Sequence, residues 1–257
     1  MAENILVTIS FSHFCEKARW ALDHHGVDYR EDDHAPIFHM LGTYPRGGGR
    51  TVPVLVTAAG VFSDSTDILK HLDAVATDAS KRLFPADESQ RLEVEELEEL
   101  FDKTLGPATR RLLYSRLLGE GAFMKRMLKL NGPAWQRALV GPSFPLIRSA
   151  IRRAYRINDQ SAQRSRERIE EVFALVEERI ADGRRYLVGD SLSAADITFA
   201  SLAGELVFPA QFGFTLPALD EAPAGVVALV EEMRARPAGR FILDLYARDR
   251  APSTARA

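Results

Sequence analysis

The chain has 257 residues, of which 46% are hydrophobic and 27% charged, the balance of a globular protein with one or two domains. Its 33 Lys and Arg against 36 Asp and Glu give a net charge of −3, so nucleic acid is not an expected partner. We expect neither a signal peptide nor a transmembrane segment, because no apolar run approaches roughly 18 residues. The single cysteine, Cys15, excludes an intramolecular disulfide and an all-cysteine zinc site, and it favours a reducing, cytoplasmic location.

The first part of the chain mixes strand and helix patterns. Residues 4–11 are apolar and β-branched like a buried strand, and a helix pattern follows from the good N-cap residue Ser12 to Gly26. Residues 27–32 again have a strand pattern, so a βαβ unit is predicted. A β-hairpin pattern and a further helix pattern then occupy residues 52–62 and 65–75.

Beyond residue 89, the sequence shows helix patterns without strand alternation. They cover residues 90–118, 160–183, 193–208 and 224–236. We therefore predict an α/β domain over residues 1–80, a linker over 81–89 and an all-helical domain over 90–257. Its segment 119–158 is irregular in pattern, and we expect Pro133, Pro142 and Pro145 to break any single helix there.

Charge is distributed unevenly in the predicted helical domain. Residues 110–156 contain eleven Lys or Arg and one acid, Glu120, whereas residues 87–102 contain eight acids and one Arg. Solvated faces of opposite charge explain this pattern, and an anion-binding surface is the alternative.

The segment Ser12-His-Phe-Cys15 lies where the first strand pattern gives way to the first helix pattern. Ser12 is either only an N-cap, or a hydroxyl that donates a hydrogen bond to the thiolate of a bound small thiol. Cys15 is either a small buried hydrophobe or a reactive thiol near a helix N-terminus.

Two further dipeptides admit a structural and a functional interpretation. Pro53 at the start of a strand is either an ordinary edge proline or part of a cis Val52–Pro53 bond that frees the backbone of Val52 for an extended ligand. Asp64 and Ser65 at a helix start either cap the helix or hold the charged end of a ligand. The histidines show no spacing typical of metal ligands, so no metal is predicted.

The order of these motifs, and the helical half that follows them, resembles the glutathione S-transferase superfamily. The resemblance covers both halves of the chain and implies a thioredoxin-like N-terminal domain and an all-α C-terminal domain. It implies glutathione as co-substrate and a homodimer. The segment 186–197 is similar to the start of a buried helix in this family, in which Ser193 and Asp196 form a capping box.

The resemblance also assigns roles to residues. Ser12 falls on the catalytic position of the serine-type transferases, and Val52, which precedes Pro53, pairs its backbone with the cysteinyl part of glutathione. Asp64 and Ser65 hold the γ-glutamyl end, although Asp64 replaces the more usual Glu. The residues expected near the glycyl carboxylate, where the usual Asn-Pro-x-Gly-Lys is absent, are His39, Arg50 and Thr51.

We expect the second substrate to lie against apolar side chains, many of them from the segment 119–158, although core packing is an alternative for each. The candidates are Phe14, Tyr114, Phe123, Met127, Trp135, Phe144 and Tyr155.

The leading functional hypothesis is a glutathione transferase in which an activated thiol attacks a hydrophobic electrophile, a reaction typical of detoxification enzymes. One alternative is a thiol-disulfide or deglutathionylation enzyme that depends on Cys15. The other is a non-catalytic binding or carrier protein that retains the fold.

Overall fold

The computed structural model describes residues 3–214 and 217–256. Within these ranges, five strands form one sheet in the order β4-β3-β1-β2-β5. Strand β1 pairs in parallel with β2 and antiparallel with β3, and β3 pairs antiparallel with β4. The strands are β1 (Ile5–Thr8), β2 (Tyr29–Asp33), β3 (Val54–Thr57), β4 (Gly60–Phe62) and β5 (Ala255–Arg256).

Eleven α-helices lie in the same described ranges, and a π-helical turn over Phe101–Leu105 joins two of them. Where one helix is predicted over residues 90–118, the structure thus has two helices joined by a turn that holds more residues than an α-helical turn. The helices are α1 (His13–His25), α2 (Met40–Thr43), α3 (Ser65–Val75), α4 (Glu88–Leu100), α5 (Gly106–Leu117), α6 (Gly121–Leu128), α7 (Ala134–Ala154), α8 (Asp159–Arg179), α9 (Ala194–Val207), α10 (Ala224–Ala235) and α11 (Pro237–Asp249).

The element order confirms the predicted fold class, since a small α/β unit is followed by helices. The unit runs β1-α1-β2 and then β3-β4-α3, as predicted. One continuous apolar core extends from β1 and α1 to α9 and α11. Because this core crosses residues 81–89, the position of the domain boundary stays a prediction. None of the described helices has the length and apolar character needed to cross a membrane.

Helix α7 contains Pro142 and Pro145, so the expectation that these prolines break any single helix is wrong. Only Pro133 precedes the helix, as its N-cap. A proline inside a helix leaves the carbonyl four residues earlier without its donor. The two carbonyls belong to Ala138, which is exposed, and Gly141, which is half-buried, so water can hydrate them. The opposite face of α7 packs into a core cluster through Val140, Phe144, Ile147 and Ile151.

Two elements near the C-terminus are not predicted, helix α11 and strand β5. Helix α11 begins directly after α10, because Pro237 occupies its first turn while Arg236 before it is extended, with ψ of 148°. Strand β5 pairs in parallel with β2, and a segment of two residues is too short to give an alternating pattern.

The chain before β5 is fastened to α1. The buried Arg250 guanidinium donates to the carboxylates of Glu16 at 2.8 Å and Asp23 at 2.7 Å. Asp23 also accepts from the backbone N–H of Thr254 at 2.7 Å. These contacts therefore fasten the C-terminal segment that follows α11 to α1.

A second buried ion network holds α1 to α3 and α4. Lys17 has no exposed surface and its ammonium contacts the Glu98 carboxylate, lies 2.8 Å from Oδ1 of Asp102, and lies 3.3 Å from Oγ1 of Thr66. Burial, together with the Glu98 charge, raises the pKa of Asp102 against the lowering effect of Lys17. One cation thus compensates two acids in the core, and it fixes where α3 starts relative to α1.

Helix α9 is the centre of the helical half and is buried at every position except Glu205. The predicted capping pair lies at its start. Asp196 accepts from the backbone N–H of Ser193 at 2.9 Å, from the Ser193 hydroxyl at 2.6 Å, and from the backbone N–H of Leu187 at 2.8 Å. Burial raises the pKa of this carboxyl to about 6.

Replacing Lys17 with Met should destabilise the fold strongly, because it leaves Glu98 and Asp102 buried without a cation. We expect a loss of about 3–5 kcal/mol in the free energy of unfolding, measured by urea titration. Lys103→Met is the matched control, since Lys103 pairs with Glu99 on the surface, and its unfolding midpoint should not change measurably. Equal midpoints for the two variants would contradict the role given to Lys17.

Replacing Asp196 with Ala should leave three buried donors without an acceptor. We expect a loss of about 2–5 kcal/mol in the free energy of unfolding. Asp87→Ala removes an exposed N-cap of α4, which accepts from Gln90, and should cost about 1 kcal/mol. Similar losses in both variants would show that Asp196 acts only as an ordinary cap.

Candidate functional site

A cleft of about 350 Å³ lies between the α/β unit and the helical half. On one side it is lined by the segments that join β1 to α1, precede β3, and join β4 to α3. On the other side it is lined by α5, α6, α9 and α10. The candidate residues from the sequence that lie on it are Ser12, Phe14, His39, Arg50, Thr51, Val52, Pro53, Asp64, Ser65, Tyr114, Phe123, Met127 and Tyr155.

Ser12 is the N-cap residue of α1, but its side chain does not cap the helix. The backbone of Ser12 is extended, with φ of −68° and ψ of 122°, and its N–H donates to the Ile9 carbonyl at 2.9 Å. Its own carbonyl accepts from the N–H of Glu16 at 2.9 Å, which starts the helix. The half-buried hydroxyl therefore faces a cleft at the positive end of α1 without serving as a cap.

Cys15 lies in the core and not on the cleft. Its side chain has no exposed surface, and burial raises the pKa of its thiol to about 11, despite lowering contributions from Arg19 and from a hydrogen bond with Ser12. The thiol is thus protonated at neutral pH, which favours the interpretation of Cys15 as a small buried hydrophobe.

The bond between Val52 and Pro53 is cis, which was one of the two alternatives for this dipeptide. Strand β3 begins at Val54, which pairs with Val7 of β1, so Val52 lies just before the ladder. Among the described residues, neither the N–H nor the carbonyl of Val52 makes a backbone hydrogen bond. An extended ligand in the cleft can therefore pair with both groups.

The loop before Val52 is held by His39, whose Nε2 lies 2.9 Å from the Arg50 carbonyl. Burial lowers the pKa of His39, against the effect of this hydrogen bond. His39 lines the cleft and also positions this loop, while its contact with a glycyl carboxylate stays a prediction.

Asp64 and Ser65 start helix α3 beside the cleft. The carboxylate of Asp64 accepts from the backbone N–H of Thr66 at 2.8 Å, so Asp64 is the N-cap of α3. Ser65 is buried at the first position of the helix. The capping interpretation of Asp64 is confirmed. Asp64 also lies on the cleft, and its contact with a ligand stays a prediction. The neighbouring Thr66 belongs to the Lys17 network, which fixes this helix start.

Two of the apolar candidates lie elsewhere. Trp135 is 50% exposed in the first turn of α7, with its ring edge-on to Phe38 at 5.6 Å, so it does not line the cleft. Phe144 packs into the core cluster of α7 instead. The prediction that Trp135 and Phe144 line the acceptor pocket is therefore wrong, since neither side chain lies on the cleft.

The structure adds three charged or titratable residues to the cleft that the sequence analysis missed: His13, Arg110 and Glu205. Nδ1 of His13 lies 3.4 Å from Oε2 of Glu205. Glu205 could have been noticed as a single carboxylate in the apolar second half of α9. The sequence gives no comparable signal for Arg110, since it is one of many basic residues in its segment.

Aromatic rings surround Arg110. Its guanidinium carbon lies 4.3 Å from the ring centroid of Tyr155 and 5.7 Å from that of Phe14. The rings of Tyr155 and Tyr114 are stacked at 5.6 Å. Burial raises the pKa of Tyr114 well above its usual range, so its phenol is neutral. The helical side of the cleft, called the helical wall below, therefore combines apolar surface with a cation and a phenol.

Two known domain families match this chain, one in each half. A profile described as "Glutathione S-transferase, N-terminal domain" matches residues 6–79, and one described as "Glutathione S-transferase, C-terminal domain" matches residues 159–232. A comparison with curated protein sequences finds no match.

Solved structures share the fold at low identity. A beta-etherase from Sphingobium sp. is 20% identical with a TM-score of 0.60, over 95% of this chain and 99% of that chain. A glutathione S-transferase from Methylobacillus flagellatus, solved with glutathione bound, is 17% identical with a TM-score of 0.54, over 93% and 98%. One from Methylobacterium radiotolerans, in complex with glutathione sulfonate, is 20% identical with a TM-score of 0.53, over 100% and 97%.

The two domain profiles lie in the same order as the two halves of the fold, and together they span more than half of the chain. The chain therefore belongs to the glutathione S-transferase family.

Proposed function

We propose that this protein binds glutathione in the cleft and catalyses the attack of its sulfur on an apolar electrophile. The observation that carries the proposal is the Ser12 hydroxyl, which lies at the N-terminus of α1 and on the cleft without capping the helix. Family membership and the glutathione-bound structures of similar fold support the choice of thiol.

Three features of the α/β side match the three parts of glutathione. The unpaired backbone of Val52 suits the cysteinyl peptide unit, which needs one donor and one acceptor. The N-terminus of α3 at Ser65 suits the γ-glutamyl carboxylate, with Asp64 beside it for the ammonium group. The glycyl carboxylate then extends toward Arg50, a cation on the same cleft.

In this arrangement the sulfur lies near Ser12. The hydroxyl donates a hydrogen bond to the thiolate, and the positive end of α1 stabilises the same charge, so both lower the pKa of the bound thiol. The thiol proton leaves to solvent. The thiolate then forms a bond to an electrophilic carbon, while the bond from that carbon to its leaving group breaks and the leaving group takes the electron pair.

The helical wall holds the second substrate. Phe123 and Met127 supply apolar surface on this wall, and Phe14 supplies it at the start of α1. Binding there excludes water and holds the electrophile close to the thiolate. This proximity lowers the entropic cost of bringing the two reactants together.

Replacing Ser12 with Ala should reduce kcat/KM for glutathione and 1-chloro-2,4-dinitrobenzene by about 10- to 100-fold, because the thiolate loses a charge-assisted hydrogen bond. Glutathione should still raise the melting temperature of this variant, since its other contacts remain. Ser12→Thr keeps a hydroxyl and should keep most activity.

Unchanged turnover in Ser12→Ala would remove Ser12 from the mechanism. A wild-type protein that gains thermal stability from glutathione but conjugates no electrophile in a broad panel would instead be a binding or carrier protein.

Cys15 should remain unmodified when the folded protein is incubated with oxidised glutathione, because the thiol is buried and its pKa is raised to about 11. Intact-mass spectrometry measures the adduct of about 305 Da expected for one glutathionyl group. The same protein in guanidinium chloride is the positive control. An adduct on the folded chain would revive a Cys15-dependent redox enzyme.

A further inference from the structure

Arg110 is the cation on the helical side of the cleft, and no described carboxylate forms an ion pair with it. It makes neither an ion pair nor a hydrogen bond within the described chain, and its Nε is fully buried without a partner. The terminal nitrogens retain contact with solvent, since only Nε is completely enclosed. The N–H at Nε has therefore lost its contact with water, and no hydrogen-bond acceptor of the protein replaces that contact.

The position of Arg110 is fixed by packing. Gly106 lies one turn earlier on α5, and the ring of Phe14 packs so closely on it that a Cβ there would approach Phe14 Cζ within 2.6 Å. Arg110 follows on the same face, with its guanidinium over the rings of Tyr155 and Phe14. Stacking on aromatic faces leaves the N–H edge of a guanidinium available for a planar acceptor.

The surroundings favour a negatively charged ligand at this point. Arg111, the next residue on α5, lies outside the cleft, and its pKa is lowered by burial and by the charges of Arg168, Arg110, Arg164 and Arg156, so Arg110 belongs to a cluster of cations. Tyr114, with its neutral phenol, adds a potential hydrogen-bond donor on the same cleft. Glu205, the acid on the helical side, contacts His13 and forms no ion pair with Arg110.

We propose that the second substrate is an apolar molecule, aromatic in body, that carries a carboxylate, and that Arg110 binds this carboxylate. The proposal rests on the proposed function for the identity of the site and goes beyond it in naming the class of acceptor. Arg110 determines specificity here and takes no part in bond making at the sulfur. The basic segment 110–156 then acts as an attractive field for the anionic acceptor, with Arg110 as its point of contact.

The first test is binding of two unreactive probes, 4-ethylbenzoate and the neutral 4-ethylbenzamide, measured by calorimetry on the full chain. The wild type should bind the benzoate at least tenfold more tightly than the benzamide. Arg110→Gln should weaken benzoate binding by about 10- to 100-fold, as expected for a charge-assisted contact, and leave benzamide binding within twofold.

Two variants serve as controls. Arg137→Gln removes an exposed cation of the same basic segment outside the cleft and should leave both affinities unchanged. Glu205→Gln removes a negative charge from the helical wall and should tighten benzoate binding about two- to fivefold. The proposal is overturned if the wild type shows no preference for the benzoate. It is also overturned if Arg110→Gln weakens both probes equally, or if Arg137→Gln loses as much affinity.

The second test separates this proposal from the proposed function. Glutathione conjugation is measured with 4-(chloromethyl)benzoate and its methyl ester, each rate being divided by the uncatalysed rate. Conjugation of both acceptors without preference for the acid, and without an effect of Arg110→Gln, overturns the carboxylate proposal alone. Arg110-dependent benzoate binding without any conjugation supports the carboxylate site and overturns the transferase activity.

Discussion

The buried ammonium of Lys17 is the constraint on which the site geometry depends. It compensates the carboxylates of Glu98 and Asp102 in the core and contacts the hydroxyl of Thr66. These four residues belong to α1, α3, α4 and the π turn after α4, so a single charge connects the α/β unit to the first helices of the other half. Two segments of the cleft, at Ser12 and at Asp64, are the starts of two of these helices. Their separation is therefore fixed by an ion network whose residues do not line the cleft.

The cleft is built from two kinds of surface. On the α/β side, backbone groups are available at the unpaired Val52 and at the helix start of Ser65, and such groups suit a peptide-like ligand. On the helical side the available groups are side chains, with Arg110 and Tyr114 among apolar rings. Backbone recognition suits a constant thiol, whereas side-chain recognition suits an acceptor that can change with a few substitutions.

Predictions from the sequence succeeded where local chemistry decides the structure. Gly26 adopts the left-handed conformation with φ of 67° that ends α1, and Ser193 and Asp196 form the expected hydrogen bonds at the start of α9. They failed where tertiary packing overrides a local rule. Helix α7 contains Pro142 because its inward face is buried against a core cluster, while the carbonyl that loses its donor lies toward solvent. A local sequence pattern cannot show that burial of one helix face offsets the loss of a hydrogen bond on the other.

The sequence by itself determined the fold class, the order of the elements in the α/β unit and the segments of that unit that approach the cleft, because these depend on periodicity, caps and short motifs. It left Ser12 and Cys15 as rival candidates three positions apart. Only the tertiary structure separated them, since it buries the thiol in the core and leaves the hydroxyl at the cleft without a cap to serve. Likewise, Arg110 is one of eleven basic residues in its segment, and only the packing of α5 against Phe14 and Tyr155 brings this one into the cleft. Burial and the absence of a charge partner are properties of the folded chain, which is why no pattern in the sequence could assign them.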